Sequence, residues 1–264
     1  MLIDATTRAL VTGPSRGIGL ALAEALAARG ATLGLASRSA TELAALAERL
    51  PGDHHVLACD VGEREQVEGA VSGFVEAAGG LDLLVANAGI AHYGPLADMP
   101  VEEIEQMTRV NWLGTVYRVK AALPHLLERA HGHIVIVSSG AGHRAFPWAA
   151  AYGATKAAQR GFAEALRHEL AGTGVSVTTV FPGEVASSLH AGEETMPQWY
   201  RGGARAASAE DLATKVIEAV EADRRAVFHP PLVRALALLN GASPALADAL
   251  LRRLRGETAA PRRG

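Results

Sequence analysis

The strongest constraint on the fold is an alternation. Short apolar runs at 8–12, 32–36, 54–58, 81–86, 133–137 and 175–181, with a weaker one at 226–229, have the length of buried strands. Between them lie alanine-, leucine- and glutamate-rich stretches of helical length at 18–29, 40–50, 63–78, 101–129 and 152–171. Gly30, Gly52, Gly79, Gly80 and Gly172 stand just past those stretches, where a left-handed cap is easiest for glycine. Strands that alternate with helices are joined by right-handed crossovers, which predict a parallel sheet covered on both faces. No fixed-period repeat or long linker divides the 264 residues. The expectation is one α/β domain over 1–264. It would be a Rossmann-type doubly wound parallel sheet of about seven strands flanked by helices over 8–229, with a helical extension over 230–264.

Composition narrows the function classes. Apolar residues make up 49% and charged residues 20%, an ordinary globular mixture. A formal net charge of −3 gives no reason to expect nucleic acid as a partner. The single cysteine, Cys59, excludes an internal disulfide, suits a reducing compartment and reads as a small core residue at a strand end. No basic-then-apolar leader opens the chain and no run of about 20 apolar residues occurs, so a cytoplasmic protein is expected. Ten histidines raise the question of a metal. His131 and His133 would point to one side of a strand and His54 and His55 to opposite sides, but neither pair has cysteine or carboxylate partners at ligand spacing. No metal site is expected.

The first strand runs directly into Thr12-Gly13-Pro14-Ser15-Arg16-Gly17-Ile18-Gly19. Glycine here opens backbone angles closed to other residues and lets the backbone approach a pyrophosphate. The helix that follows presents free N–H groups and its positive dipole end to that phosphate. A glycine-rich turn alone says little; its place between the first strand and the first helix points to a dinucleotide.

With this turn, the chain resembles the classical short-chain dehydrogenases/reductases. The T-G-x-x-x-G-x-G spacing is theirs, and the resemblance extends from Arg8 to about His229 with the other motifs in order. These are Asp60-Val61, Asn87-Ala88-Gly89, Asn111, Ser139, Tyr152-x-x-x-Lys156 and Pro182-Gly183. The resemblance implies that Asp60 and Val61 contact the adenine and that Asn87, Ala88 and Gly89 support the sheet and the cofactor ribose. Pro182 and Gly183 would lie beside the nicotinamide with Val185 and Ser187, and Ile18 would join the phosphate turn. Ala86 replaces an asparagine common before Asn-Ala-Gly, and Ser187 stands where threonine is frequent; it keeps a hydroxyl.

The end of the second strand separates the two nicotinamide dinucleotides. A carboxylate there would bind the adenosine ribose and repel a 2′-phosphate. This chain has Ser37-Arg38-Ser39 instead. Arginine suits phosphate through charge-assisted contacts, the two serines add hydroxyls, and Arg16 would close on the same group from the first turn. NADP(H) is the expected cofactor, with NAD(H) the second choice.

Tyr152 and Lys156 share one helix face a turn apart. A free tyrosine has a pKa of about 10, and a nearby ammonium, joined by an oxidised nicotinamide, is expected to lower it. Tyr152 would then give a proton to a carbonyl oxygen or take one from an alcohol. Ser139, thirteen residues earlier, would hold the substrate oxygen; Ser138 breaks the family spacing. The resemblance implies that Lys156 holds the nicotinamide ribose and that Asn111 positions a water relaying protons from Lys156.

Loops at the strand ends carry His92, Tyr93, His143, Phe146 and Trp148, and the segment 189–205 carries Met196, Trp199 and Tyr200. They suggest a hydrophobic lid over a bulky or apolar carbonyl or alcohol substrate, although Arg144, Arg201 and Arg205 leave an acidic substrate open. In the extension, Ser243 and Pro244 suit a helix start, and Leu246, Leu250, Leu251 and Leu254 repeat beside Arg252, Arg253 and Arg255. Packing on the parent domain or another subunit is expected, with weak attachment to an anionic membrane surface as the second reading. Similar proteins form dimers or tetramers through the helices at 101–129 and 152–171. The leading function is an NADP(H)-dependent carbonyl reductase or alcohol dehydrogenase. A catalytically silent NADP(H)-binding sensor or scaffold is the alternative, and an enoyl reductase, lyase or epimerase has less in its favour.

Overall fold

A computed structural model of the chain describes residues 1–185 and 206–255. Seven strands, β1 (Arg8–Thr12), β2 (Thr32–Ser37), β3 (His55–Ala58), β4 (Leu83–Ala86), β5 (Gly132–Val137), β6 (Val175–Pro182) and β7 (Ala226–His229), form one parallel sheet. Their order is β3-β2-β1-β4-β5-β6-β7, so the chain reverses its direction of travel between β1 and β4. That reversal opens a crevice at the carboxyl ends of the strands.

Side chains alternate across each strand, and each face has its own core. Val11, Leu33, Val85 and Val135 face Leu22 and Leu26 of α1 (Gly17–Ala27), Leu43 of α2 (Ala40–Arg49) and Val216 of α7 (Ala209–Glu221). Leu10, Leu84, Ile134 and Ile136 face Phe74 of α3 (Arg64–Ala78), Val119 of α5 (Gly114–Glu128) and Leu166 of α6 (Ala150–Glu169). The expected doubly wound architecture is thus present, with element ends displaced by one or two residues.

Two elements depart from the sequence reading. The helix at 209–221 was not anticipated, although Ser208 caps it by accepting from Asp211 N at 3.0 Å and Leu212, Val216 and Val220 recur at helical spacing. The single helix expected at 101–129 is interrupted. It divides into α4 (Val101–Met107), a widened π turn (Thr108–Leu113) and α5. Inside the wide turn the Asn111 carbonyl accepts from Thr115 Oγ1 at 2.7 Å and Gln159 Nε2 at 2.9 Å.

The extension forms α8 (Pro231–Ala242) and α9 (Pro244–Arg255). Asn240 Nδ2 donates to His143 O at 3.0 Å, and Arg144 pairs with Asp248. Leu232 and Leu238 remain exposed on α8. No helix among the described residues is long and apolar enough to cross a membrane.

Candidate active site

β1 delivers the glycine turn to the crevice. Gly13 and Gly17 have φ of +66° and +57°, the left-handed region that favours glycine. Gly19 is excluded from change for another reason: a Cβ there would lie 2.0 Å from Gly13 O and 2.5 Å from Asn87 Nδ2. Asn87 Nδ2 donates to Thr12 O at 3.0 Å and Gly13 O at 3.1 Å, fastening the loop after β4 to the turn after β1. Thr12 Oγ1 strengthens the fastening by accepting from Asn87 N at 3.1 Å and Ala88 N at 3.2 Å. α1 starts on extended Arg16, whose side chain makes no cap, and its first turn holds no acidic residue. The helix therefore offers N–H groups and a positive end without competition, an arrangement that fits a pyrophosphate. Ile18 is half-buried behind it.

At the other end of the turn, Ser15 Oγ lies 3.4 Å from Ser37 Oγ. Arg16 and Arg38 flank this pair, both exposed, and neither forms an ion pair among the described residues. Ser39 has a different part, capping α2 by accepting from Glu42 N. Asp60 accepts from Gly62 N at 2.8 Å and stands beside buried Val61 at the end of β3.

The reacting residues named from sequence meet on α6. Tyr152 is 7% exposed and Lys156 4%. Ser139, which follows β5, stands near enough to the Tyr152 phenol to favour its ionised form, while Lys156 Nζ lies 5.8 Å from the ring centroid and donates to Val137 O at 3.1 Å. Ser138 is occupied elsewhere: its hydroxyl donates to Lys156 O at 2.8 Å and pins α6 to the loop. Asn111 is fully buried. Its Oδ1 accepts from Ile90 N at 2.8 Å, and its Nδ2 donates to Ile90 O at 2.9 Å and Thr155 Oγ1 at 3.1 Å. Gly89 faces this group, since a Cβ would lie 3.0 Å from Asn111 Oδ1 and 3.5 Å from Lys156 Nζ.

In the chain by itself, burial dominates the electrostatics of this centre. Burial pushes the Tyr152 phenol up to about 12, with Ser139 pulling the other way. The residues of the chain alone therefore hold a neutral phenol, and desolvation outweighs any stabilisation of phenolate by the ammonium. Burial, aided by Arg118, brings Lys156 down to about 7.

Around this centre, Tyr93 packs edge-on against Tyr152 with ring centroids 5.8 Å apart. His143 turns inward instead of lining the crevice, packing on Phe181 and Phe228. Gly183 N donates to His229 O at 2.7 Å, which seats the turn after β6, and Pro182 and Val185 are buried beside it. Val233 of α8 lies over both loops: a Cβ on Gly140 or Gly183 would meet its methyl groups at 2.9 and 3.0 Å. Ser187 and the lid segment with Met196, Trp199 and Tyr200 lie outside the described residues. The histidine pairs stay apart from the site, with His133 bonding Thr178 Oγ1 at 2.8 Å inside the sheet. Among the described residues no group of three or more His, Cys, Asp or Glu could hold a metal ion.

The sequence reading missed Thr155, Gln159 and Arg118. Only Arg118 left a signal: it stands between Thr115 and Ala122 at helical spacing, a charge on a core face.

Residues 7–198 match the family described as short chain dehydrogenase. A glycine betaine reductase, ATRR, of Emericella nidulans is 36% identical over 232 residues, 85% of this chain; the chain spans only 18% of that relative's length. Among solved structures, an alcohol dehydrogenase from Thermococcus sibiricus complexed with 5-hydroxy-NADP is 28% identical, with TM-score 0.73 over 84% of this chain and 95% of that one. A short-chain dehydrogenase/reductase from Burkholderia phymatum in complex with NAD is 26% identical, with TM-score 0.82 over 93% and 96%. The glycine turn, the buried tyrosine–lysine helix and these matches lead to one conclusion: the chain belongs to the short-chain dehydrogenase/reductase family of oxidoreductases.

Proposed function

We propose that the chain is an NADP(H)-dependent oxidoreductase that interconverts a ketone or aldehyde and an alcohol, with Tyr152 exchanging the proton. The observation that carries this reading is the meeting of Ser139, Tyr152 and Lys156 beside the loops that follow β1 and β4. Gly13, Ser15, Gly17, Ile18 and Gly19 would hold the pyrophosphate, and Asp60 and Val61 the adenine. Asn87, Ala88, Gly89 and Lys156 would hold the nicotinamide ribose, and Pro182, Gly183, Val185 and Ser187 the nicotinamide. A nicotinamide dinucleotide bound there supplies hydride to the substrate carbon or accepts it.

In reduction, Ser139 holds the carbonyl oxygen and the neutral Tyr152 phenol donates its proton to that oxygen as charge develops on it. In oxidation the proton returns to Tyr152. Lys156 steadies the phenolate and, titrating near neutrality, replaces its proton. Asn111 keeps this geometry by tying Ile90 to Thr155. Ser37, Arg38 and Arg16 favour the 2′-phosphate of NADP(H), and the Tyr93–Tyr152 pair favours an apolar substrate. Leu113, at the end of the π turn, and Leu127 of α5 are exposed and suit a dimer or tetramer seam.

Screening ketones and alcohols by cofactor absorbance identifies a substrate, and Tyr152→Phe tests the chemistry. The variant should bind NADPH normally and lose on the order of 1000-fold in kcat. Turnover close to that of the unaltered chain would refute the role of Tyr152.

A further inference from the structure

One charge beneath the reacting centre has no part in the mechanism above. Arg118 of α5 is 1% exposed. Its Nε donates to Gly114 O at 2.7 Å, and Nη1 to Thr12 Oγ1 at 2.7 Å and Ala88 O at 3.3 Å. Nη2 donates to Ala88 O at 3.4 Å and Thr115 Oγ1 at 3.0 Å. Each acceptor is a neutral carbonyl or hydroxyl, and among the described residues no carboxylate pairs with the guanidinium. A buried cation without a counter-charge is costly, so its placement calls for a use.

Its contacts say where that use lies. Thr12 and Ala88 form the back of the two loops that cradle the dinucleotide. Thr115 donates to the Asn111 carbonyl and accepts from Gln159 Nε2 at 2.7 Å, so the same guanidinium braces the π turn. We propose that Arg118 is a positioning residue of the reacting centre: its acid-free guanidinium locks these loops together and sets a fixed second cation against the Lys156 ammonium. The inference rests on Lys156 serving the reaction proposed above.

The competition between the two cations has a direction. Two like charges in a dry compartment disfavour whichever can discharge more easily, and that is the lysine. Burial lowers Lys156 first and Arg118 adds to it. The groups acting on Lys156 are Arg118 from α5 and Tyr152 from its own helix. Cys59, after β3, faces Arg118 but is raised to about 11 by burial and stays a neutral thiol. Lys156 can thus pass a proton to Tyr152 and recover it near neutral pH, where an ordinary lysine would hold it.

The chain has three lysines, Lys120, Lys156 and Lys215, so 13Cε-lysine labelling gives a spectrum in which Lys156→Met assigns the buried one. In the unaltered chain the Lys156 signal should titrate near neutral pH. In Arg118→Gln and Arg118→Met it should move up by about one pH unit, whereas Arg118→Lys, which keeps charge and loses the fork, should titrate close to the unaltered chain. The alkaline limb of kcat/KM should move with the signal. An ordinary lysine titration in the unaltered chain would overturn the proposal. So would equal titration in the unaltered chain and Arg118→Gln, or an equal displacement in all three variants. If the neutral variants do not fold, an ordinary lysine titration in the unaltered chain still overturns the proposal. Full turnover by Lys156→Met would count against the catalytic reading alone, because the titration is measured without substrate.

Discussion

The two ends of the crevice proposed to hold the dinucleotide are built differently. At the reacting end, Asn111, Arg118, Lys156 and Tyr152 are between 0 and 7% exposed, and hydrogen bonds from three separate elements fix them. At the end proposed for the adenosine, Arg16 and Arg38 stand in solvent, on segments joined by the 3.4 Å approach of Ser15 and Ser37 and by Gly13 N donating to Ala36 O at 2.8 Å. Burial makes position exact and substitution expensive, which suits proton transfer. Exposure leaves charge available for a ligand and costs the fold little, which suits selectivity.

Substitutions can break or sharpen this contrast. The largest effect should come from Gly19→Ala, where the added methyl would meet backbone at 2.0 Å. Relieving that overlap should weaken NADPH binding on the order of 100-fold, or about 2.7 kcal/mol, as read by fluorescence titration. Affinity like that of the unaltered chain would mean that the turn is not built to the tolerance described.

Thr12→Val should act on stability. It keeps the shape but takes from Arg118 Nη1 its 2.7 Å acceptor and leaves the Ala88 N–H without one, at a cost of about 2 kcal/mol. A urea midpoint lowered at constant m would register it; a change below about 0.5 kcal/mol would remove the contrast between the ends.

The smallest effect belongs to the exposed end. Ser37→Asp with Arg38→Ser should turn preference toward NADH by about tenfold, since it removes a phosphate partner and adds a repelling carboxylate. The urea midpoint should hold to within about 0.5 kcal/mol. An unchanged ratio of catalytic efficiencies with NADPH and NADH would show that the 2′-position is read elsewhere.

What was legible in the sequence follows from the same contrast. Tyr152 and Lys156 could be paired because four residues make one turn of a helix, and the glycine turn because it joins consecutive elements. Arg118 and Thr12 are 106 residues apart and meet only because β4 lies beside β1 in the sheet, an adjacency that spacing does not encode. The bond from Gln159 of α6 to the Asn111 carbonyl in the π turn, between residues 48 apart, was out of reach for the same reason. The effect of an ammonium on Tyr152 could be anticipated from spacing, but the stronger effect of desolvation depends on packing from elements distant in sequence.

The position of Val233 has a practical consequence. Its methyl groups lie against Gly140, next to Ser139, and against Gly183, in the turn after β6, so one side chain keys α8 to both walls of the reacting centre. A displacement of α8 is therefore passed through one side chain to both loops at once, and a larger residue at Gly140 or Gly183 would push against α8 in turn.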